Sequence, residues 1–151
     1  RHVFPKQLGF AVSHTTRRMR RGEVSGVDYS FVSPDEFEDL VSHKAMLEHA
    51  IVHGSMYGTS LAAVERVVAD TAVCVLDVDI QGVRSIRTHE PGPRLSLFVE
   101  PASVELLEAR LRGRRTEDED ALQRRLSRAR EEISEAHKQE RLFDHFVAYT
   151  E

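Results

Sequence analysis

Residues 73–79 read Val-Cys-Val-Leu-Asp-Val-Asp, an apolar run that ends on two aspartates. A short, uninterrupted apolar run is typical of a parallel strand that is buried on both faces of a sheet. Residues 95–99 resemble a second strand of this kind. Because ligands of parallel sheets collect beyond the carboxyl ends of the strands, Asp77 and Asp79 stand where a ligand site is expected.

Short β-type runs alternate with amphipathic helices along the rest of the chain, which predicts an α/β fold with a parallel sheet. Residues 33–36, Ser-Pro-Asp-Glu, have the pattern of a capping box that opens a helix, and Thr59 or Ser60 could cap the next one. We also predict strands at 10–13, 29–32, 47–53 and 143–149, a glycine-flanked loop at 54–58, and helices at 103–112 and 117–138.

The 151 residues are 40% hydrophobic and 30% charged, which suits a single folded domain. A net charge of −4 argues against a general nucleic-acid binder. No apolar run approaches the roughly 20 residues that span a bilayer, and the first residues lack the apolar core of a signal peptide. The single cysteine, Cys74, fits a reducing compartment. We therefore expect a cytoplasmic protein with no nucleic-acid or membrane partner. A monomer or weak dimer is a further expectation, which these features of composition do not determine.

Arginine makes up 18 of the 21 basic residues, and four arginines lie in residues 13–23, which read Ser-His-Thr-Thr-Arg-Arg-Met-Arg-Arg-Gly-Glu. Guanidinium groups combined with hydroxyl donors suit a bound phosphate monoester, because charge-assisted hydrogen bonds are short and strong. A solvated basic loop would contain the same residues, so this segment alone leaves both interpretations open.

Asp77 and Asp79 are alternate residues at the end of the predicted strand, so their side chains should point to opposite faces and serve different roles. An aspartate at such a strand end can hold Mg²⁺, directly or through water, against nucleotide phosphates. Asp79 could equally be the N-cap of the helix that follows.

A second group of arginines flanks the loop at 113–120. Catalysis of phosphoryl transfer depends mainly on positive charge around the migrating group, and a lid with these arginines could deliver it. The acidic residues 117–120 could instead pair with them in a surface network. The group consists of Arg110, Arg112, Arg114, Arg115, Arg124 and Arg125.

Glu48 lies in a predicted strand of apolar character, where an unpaired carboxylate would be costly. Two donors from the edge of one planar base would satisfy this carboxylate, and a salt bridge to an arginine would do so equally well. Tyr57 and Thr59 follow it closely in sequence and complete this group of polar candidates.

Five segments together resemble the guanylate kinase family, in the order and spacing that the family shows. They are GFAVSHTTRRMRRGEVSGVDYSFVS (9–33), LEHAIVHGSMYGTS (47–60), VCVLDVDIQGVRSIR (73–87), FVEPAS (98–103) and RLRGRRTEDED (110–120). The resemblance implies a three-layer, P-loop-type parallel sheet with a GMP-binding arm and a helical lid. Within one domain at 1–151, the arm would occupy 13–60, the core 73–112 and 126–151, and the lid region 113–125.

The resemblance also implies an activity, the ATP-dependent phosphorylation of GMP to GDP in purine nucleotide metabolism. GMP and ATP would be the partners, with Mg²⁺ as cofactor. Ser13, Arg17, Arg20, Tyr29 and Tyr57 would hold the GMP phosphate, and Glu48, Thr59 and Asp79 would bind the guanine edge. Asp77 matches the acidic residue near Mg²⁺, through water, and Arg110, Arg114 and Arg125 match lid arginines that approach the ATP phosphates.

Three departures from the family pattern concern the ATP side. No Gly-Lys pair occurs in the 151 residues, so the family's first strand and its phosphate loop GxxxxGK[ST] are not matched. We expect that this segment is omitted rather than lost, and that the chain alone is inactive. Residues 148–151, Ala-Tyr-Thr-Glu, replace the usual Asn-Asp ending, and Arg115 stands where the family usually has glycine. The alternative hypothesis is a non-catalytic scaffold module that binds phosphorylated partners.

Overall fold

A computed structural model describes residues 7–52, 54–89, 94–113 and 118–150. The chain divides into two compact units, Arg1–Pro91 and Gly92–Glu151. The first contains the strands β1 (Leu8–Phe10), β2 (His14–Thr15), β3 (Ser30–Phe31), β4 (Met46–Val52), β5 (Ser55–Ser60) and β6 (Val73–Val75), and the helices α1 (Pro34–Ser42), α2 (Leu61–Asp70) and α3 (Ile80–His89). The second contains β7 (Leu97–Pro101), α4 (Val104–Gly113), α5 (Glu119–Lys138), a 3₁₀ turn (Glu140–Leu142) and β8 (His145–Tyr149).

The first unit contains two sheets. β1 pairs with β6 in parallel, and a mixed sheet has the strand order β3-β2-β5-β4. In the mixed sheet β2 runs parallel to β3, whereas β5 is antiparallel to both β2 and β4. Strand β5 is therefore flanked on both sides, and residues on it are positioned by hydrogen bonds to two neighbouring strands.

Local capping residues fix where α1 and α2 begin. The Ser33 side chain accepts from the Glu36 amide at 3.2 Å, and the Glu36 carboxylate accepts from the Ser33 amide at 2.7 Å, so the predicted capping box is confirmed. Ser60, one of the two predicted candidates, caps α2 by accepting from the Ala63 amide at 3.2 Å. Both helices begin next to a strand of the mixed sheet.

The second unit pairs β7 with β8 in parallel, with Leu97 opposite His145. The Asp118 side chain caps α5, accepting from the Ala121 amide at 2.7 Å. On α5 the predicted apolar face is confirmed where Leu122 and Leu126 are buried. Phe98, Phe143 and Phe146 form an aromatic cluster in the same unit, with ring centroids 5.1 to 5.7 Å apart.

Three predictions about strands are wrong. The loop expected at 54–58 lies mostly in β5, because its Gly58 is required by close packing against β4 and not by a turn. Residues 11–13, expected to be extended strand, connect β1 to β2. The runs at 73–76 and 95–99 are not buried on both faces, since Val73 and Val99 are 49% and 60% exposed. In the described part of the chain each of these runs belongs to a two-stranded sheet.

The other predicted strands and helices are present, with ends displaced by a few residues. None of the helices in the described parts of the chain combines the length and the apolar character that crossing a membrane requires.

Candidate functional site

Three of the predicted site residues form a row across the mixed sheet. Glu48 on β4 pairs with Thr59 on β5, and the Ser13 hydroxyl lies 3.2 Å from the Thr59 hydroxyl. Glu48 and Thr59 share one face because they lie opposite each other on neighbouring strands, and Ser13 immediately precedes β2, the other neighbour of β5. Tyr57, two residues before Thr59 on β5, points to the same face.

Glu48 is a buried acid, with only 5% of its surface exposed. Burial raises the pKa of its carboxyl group, the Thr59 hydroxyl and amide lower that pKa by donating to it, and the negative charge of Asp79 raises it again. Among the described residues no arginine pairs with Glu48, so the salt-bridge alternative is wrong there. Within the part of the chain that the structure describes, the buried carboxylate therefore has acceptor capacity without a compensating cation.

Asp79 lies at the N-terminus of α3, where its carboxylate accepts from the Gly82 amide at 2.8 Å. The N-cap alternative for Asp79 is thus confirmed. The same residue lies close enough to Glu48 to raise its pKa, so the cap also places Asp79 beside the row of Ser13, Glu48 and Thr59. The predicted base-binding residues are therefore brought together by β4, β5 and the first turn of α3.

Arg17 is held beside two predicted tyrosines. Its guanidinium carbon lies 5.4 Å from the centre of the Tyr29 ring, and the Tyr29 and Tyr57 ring centres are 6.0 Å apart. Hydrogen bonding to Glu23 raises the pKa of Arg17, and the Tyr57 hydroxyl adds to this effect. Arg17, Tyr29 and Tyr57 thus form a polar cluster at the other end of the face that carries Glu48.

Glu23 is the residue that sequence reasoning missed. Its carboxylate accepts from Arg17 at 2.8 and 3.1 Å and from the Arg20 amide at 2.6 Å, which closes the loop at 17–23. The signal that could have found it is the acid at the end of an arginine-rich loop, just after Gly22, whose φ of +92° makes a turn there. The Arg20 side chain is exposed, and its positive charge adds to the hydrogen bonds that lower the pKa of Glu23.

Two of the three hydroxyls in the arginine-rich segment have structural roles. The Thr15 hydroxyl donates to the Met56 carbonyl at 3.0 Å, and the Thr16 hydroxyl accepts from the Met56 amide at 2.9 Å. The hydroxyls of this pair therefore hydrogen-bond to the backbone of β5. Only Ser13 faces the site, and the two threonines instead attach the loop to β5.

Comparison with known proteins agrees with this geometry. The family model described as "Guanylate kinase" matches residues 2–149.

The chain belongs to the guanylate kinase family.

Guanylate kinases from two organisms show the extent of the similarity. The chain is 46% identical over 132 residues to "Guanylate kinase" of Schizosaccharomyces pombe, covering 87% of this chain and 65% of that protein. It is 44% identical over 144 residues to "Guanylate kinase 1" of Oryza sativa subsp. japonica, covering 95% of this chain and 37% of that protein. The chain thus spans less than two thirds of the length of these curated relatives.

A solved guanylate kinase shares the fold. The crystal structure of guanylate kinase from Anaplasma phagocytophilum superposes with a TM-score of 0.75 at 30% sequence identity, covering 95% of this chain and 68% of that one. The α/β fold with parallel strand pairs that the sequence predicts is therefore shown by its likeness to a guanylate kinase structure.

The candidate Mg²⁺ residue of this guanylate kinase family member, Asp77, is exposed just after β6. Burial raises the pKa of Tyr29, and the negative charge of Asp77 raises it further. Asp77 therefore lies on the same side as the cluster of Arg17, Tyr29 and Tyr57. The described residues contain no group of three metal-binding side chains. Magnesium usually keeps several water ligands and needs only one or two carboxylates, so a single exposed aspartate fits such a role.

The candidate lid arginines of the guanylate kinase pattern lie in the second unit. The Arg110 guanidinium carbon lies 4.6 Å from the centre of the Tyr149 ring, and Arg125 is half-buried on α5. Arg114 and Arg115 lie outside the described residues. Arg112 donates to Glu108 at 2.8 Å and to Glu119 at 2.6 Å, which confirms the surface-network alternative for this arginine. The same contacts lower the pKa of Glu119 to about 2.

Proposed function

We propose that this protein binds GMP on the face of the mixed sheet and phosphorylates it to GDP with ATP as the donor. The observation that carries the proposal is Glu48, a buried carboxylate that faces Ser13, Thr59 and Asp79 and lacks a compensating cation among the described residues. Membership of the guanylate kinase family supports the same proposed function. The relatives named above are guanylate kinases, which favours an enzyme over the scaffold module.

Guanine suits the Glu48 end of the site. A carboxylate has two acceptor oxygens, and the guanine edge presents two adjacent N–H donors, from N1 and the 2-amino group. Adenine presents a bare ring nitrogen at the corresponding position, which a carboxylate repels. Thr59 and Asp79, which lie beside Glu48, would take the remaining polar atoms of the base. Base selection thus follows from the charge of one buried side chain.

The Arg17 end of the site suits the phosphate of the nucleotide. Arg17, Tyr29 and Tyr57 present a guanidinium and two hydroxyls, and charge-assisted hydrogen bonds to phosphate are the strong ones. A phosphate dianion would compete with Glu23 for the Arg17 guanidinium. Arg20, on the same loop and exposed to solvent, would then add a second positive charge, and Ser13 a further hydroxyl.

The transfer step would depend on positive charge around the migrating phosphoryl group. In this proposal Arg110, Arg114 and Arg125 approach the ATP phosphates, and Asp77 holds Mg²⁺ through water. When bound, Mg²⁺ would neutralise charge on the nucleotide phosphates. The expected cytoplasmic location and the monomeric or weakly dimeric state stay predictions of the sequence.

Calorimetric titration of the chain with GMP and with AMP tests the acceptor half of the proposal. We expect GMP to bind more tightly than AMP, and Glu48→Gln to remove most of that preference while both ligands still bind through the phosphate. Release of ADP from ATP and GMP, measured in a coupled assay on the intact protein, tests the transfer. Equal affinity for GMP and AMP would overturn the base assignment.

A further inference from the structure

The first turn of α3 contains a glycine whose missing side chain leaves room for Glu48. An atom built at the Cβ position of Gly82 would lie 2.8 Å from Glu48 Oε2, 3.0 Å from Val78 Cβ and 3.4 Å from Glu48 Cδ. Gly82 is buried, and the interior of a helix ordinarily disfavours glycine. A close approach by another group is one reason for a glycine at such a position.

The surrounding contacts decide what would move if a methyl group were added at Gly82. The helix is fixed at this point, because the Gly82 amide donates to Asp79 at 2.8 Å and the Val83 amide donates to the Asp79 carbonyl at 3.0 Å. The Glu48 backbone is fixed by its pairing with Thr59. The free end of the Glu48 side chain is therefore the part that gives way most easily, whereas Val78 Cβ, at 3.0 Å, is attached directly to the backbone.

We propose that Gly82 determines the base specificity of the site by allowing the Glu48 carboxylate to lie against the first turn of α3. The inference rests on the proposed function, because it assigns Gly82 a part in recognising guanine. Gly82 is a positioning residue that acts through Glu48. In this proposal the carboxylate at that position accepts from both donors of guanine, whereas a displaced carboxylate would keep at most one of them.

The distinction between GMP and IMP isolates this effect. Hypoxanthine has the N1–H donor of guanine but lacks the 2-amino group, so IMP can donate only one hydrogen bond to the Glu48 carboxylate. We expect wild type to prefer GMP to IMP, and Gly82→Ala to weaken GMP binding about tenfold or more, as for loss of a hydrogen bond to a charged group. IMP binding should change much less, so the ratio of the two dissociation constants should approach one.

Two further variants show whether the effect runs through Glu48. In the Glu48→Gln background, Gly82→Ala should cause no further loss of discrimination, because residues that act as one unit are not additive. Gly9→Ala is the matched control: its added Cβ would lie 2.5 Å from Val67 Cγ1, away from the base site. This control should lower the Tm and leave the ratio of GMP to IMP affinity unchanged.

The measurement is calorimetric titration of the 151-residue chain and its variants with GMP, IMP and AMP, together with circular dichroism and thermal melting. Gly82→Ala should still fold, with a somewhat lower Tm, because the added Cβ also lies 3.0 Å from Val78 Cβ. A Gly82→Ala variant that keeps the wild-type ratio, loses its fold, or loses discrimination additively with Glu48→Gln would overturn the inference alone. A wild-type chain that binds GMP and AMP equally would overturn the proposed function, and this inference with it.

Discussion

At the scale of single residues, the burial of Glu48 affects both the stability of the ligand-free chain and the recognition of the base. Its pKa is raised above the ordinary value of 4.5 because burial disfavours the charged form. A raised pKa in the folded state means that the stability contributed by this group is fully present below its unfolded pKa and lost as the pH rises through its folded pKa. Above its folded pKa the ionised carboxylate therefore costs stability, and a ligand with two donors offsets that cost.

Replacing Glu48 with glutamine separates the two effects. Glu48→Gln should raise the free energy of unfolding of the ligand-free chain at pH 7, and the gain over wild type should shrink as the pH falls through the Glu48 pKa. The variant should also weaken GMP binding by about 1.5–3 kcal/mol, the usual value of a hydrogen bond to a charged group. Chemical denaturation and calorimetry measure the two quantities. A variant that is less stable than wild type at pH 7 would contradict the account.

The pH dependence of base preference is a second consequence of the same carboxyl group. The ratio of GMP to AMP affinity should fall as the pH is lowered through the raised pKa of Glu48, in a window above its ordinary value of 4.5. Both ligands carry the same phosphate group, so its titration changes both affinities alike and cancels in their ratio. Titrations at successive pH values check this, and the Glu48→Gln variant should show a flat ratio. A wild-type ratio that is equally flat would count against Glu48 as the group that selects the base.

At the scale of elements, the sequence predicts helices better than strands because helix starts are encoded locally. The capping box at Ser33 and Glu36 and the cap at Ser60 depend on residues three positions apart. Strand β5 was predicted as a loop because Gly54 and Gly58 both resemble turn residues. Gly54 does adopt a positive φ of +77°, but a Cβ at Gly58 would lie 2.6 Å from the Glu48 carbonyl oxygen. Gly58 is therefore required by a tertiary contact, which a single sequence does not reveal.

The capping box of α1 provides a test at this scale. Ser33→Ala removes the acceptor for the Glu36 amide and the hydroxyl that donates to the Glu36 carboxylate at 2.8 Å. We expect a loss of about 1 kcal/mol in the free energy of unfolding, measured by denaturant titration. Ser33→Thr, which keeps a hydroxyl, should lose much less. Equal losses in the two variants would show that the side-chain cap contributes little.

At the scale of the whole molecule, the candidate GMP residues come from segments far apart in sequence and lie within the first unit. Ser13, Glu48, Thr59 and Asp79 converge because β2, β5 and β4 are neighbours and α3 packs on β4. The resemblance to the family identified these residues. Residue types alone left alternatives open: a solvated loop at 13–23, a helix N-cap at Asp79 and a salt bridge at Glu48. The role of Glu23 was missed, since its bonds to Arg17 and the Arg20 amide depend on the fold of the loop.

Residue-resolved NMR titration of the chain with GMP and AMP tests this convergence most directly. The account predicts saturable shifts on adding GMP at the amides of both ends of the site, with AMP binding more weakly and perturbing the Glu48 end little. The amides to follow are those of Ser13, Arg17, Tyr57, Thr59 and Gly82. Shifts that miss these residues, or that GMP and AMP produce alike and with equal affinity, would contradict the claim that they form one guanine nucleotide site.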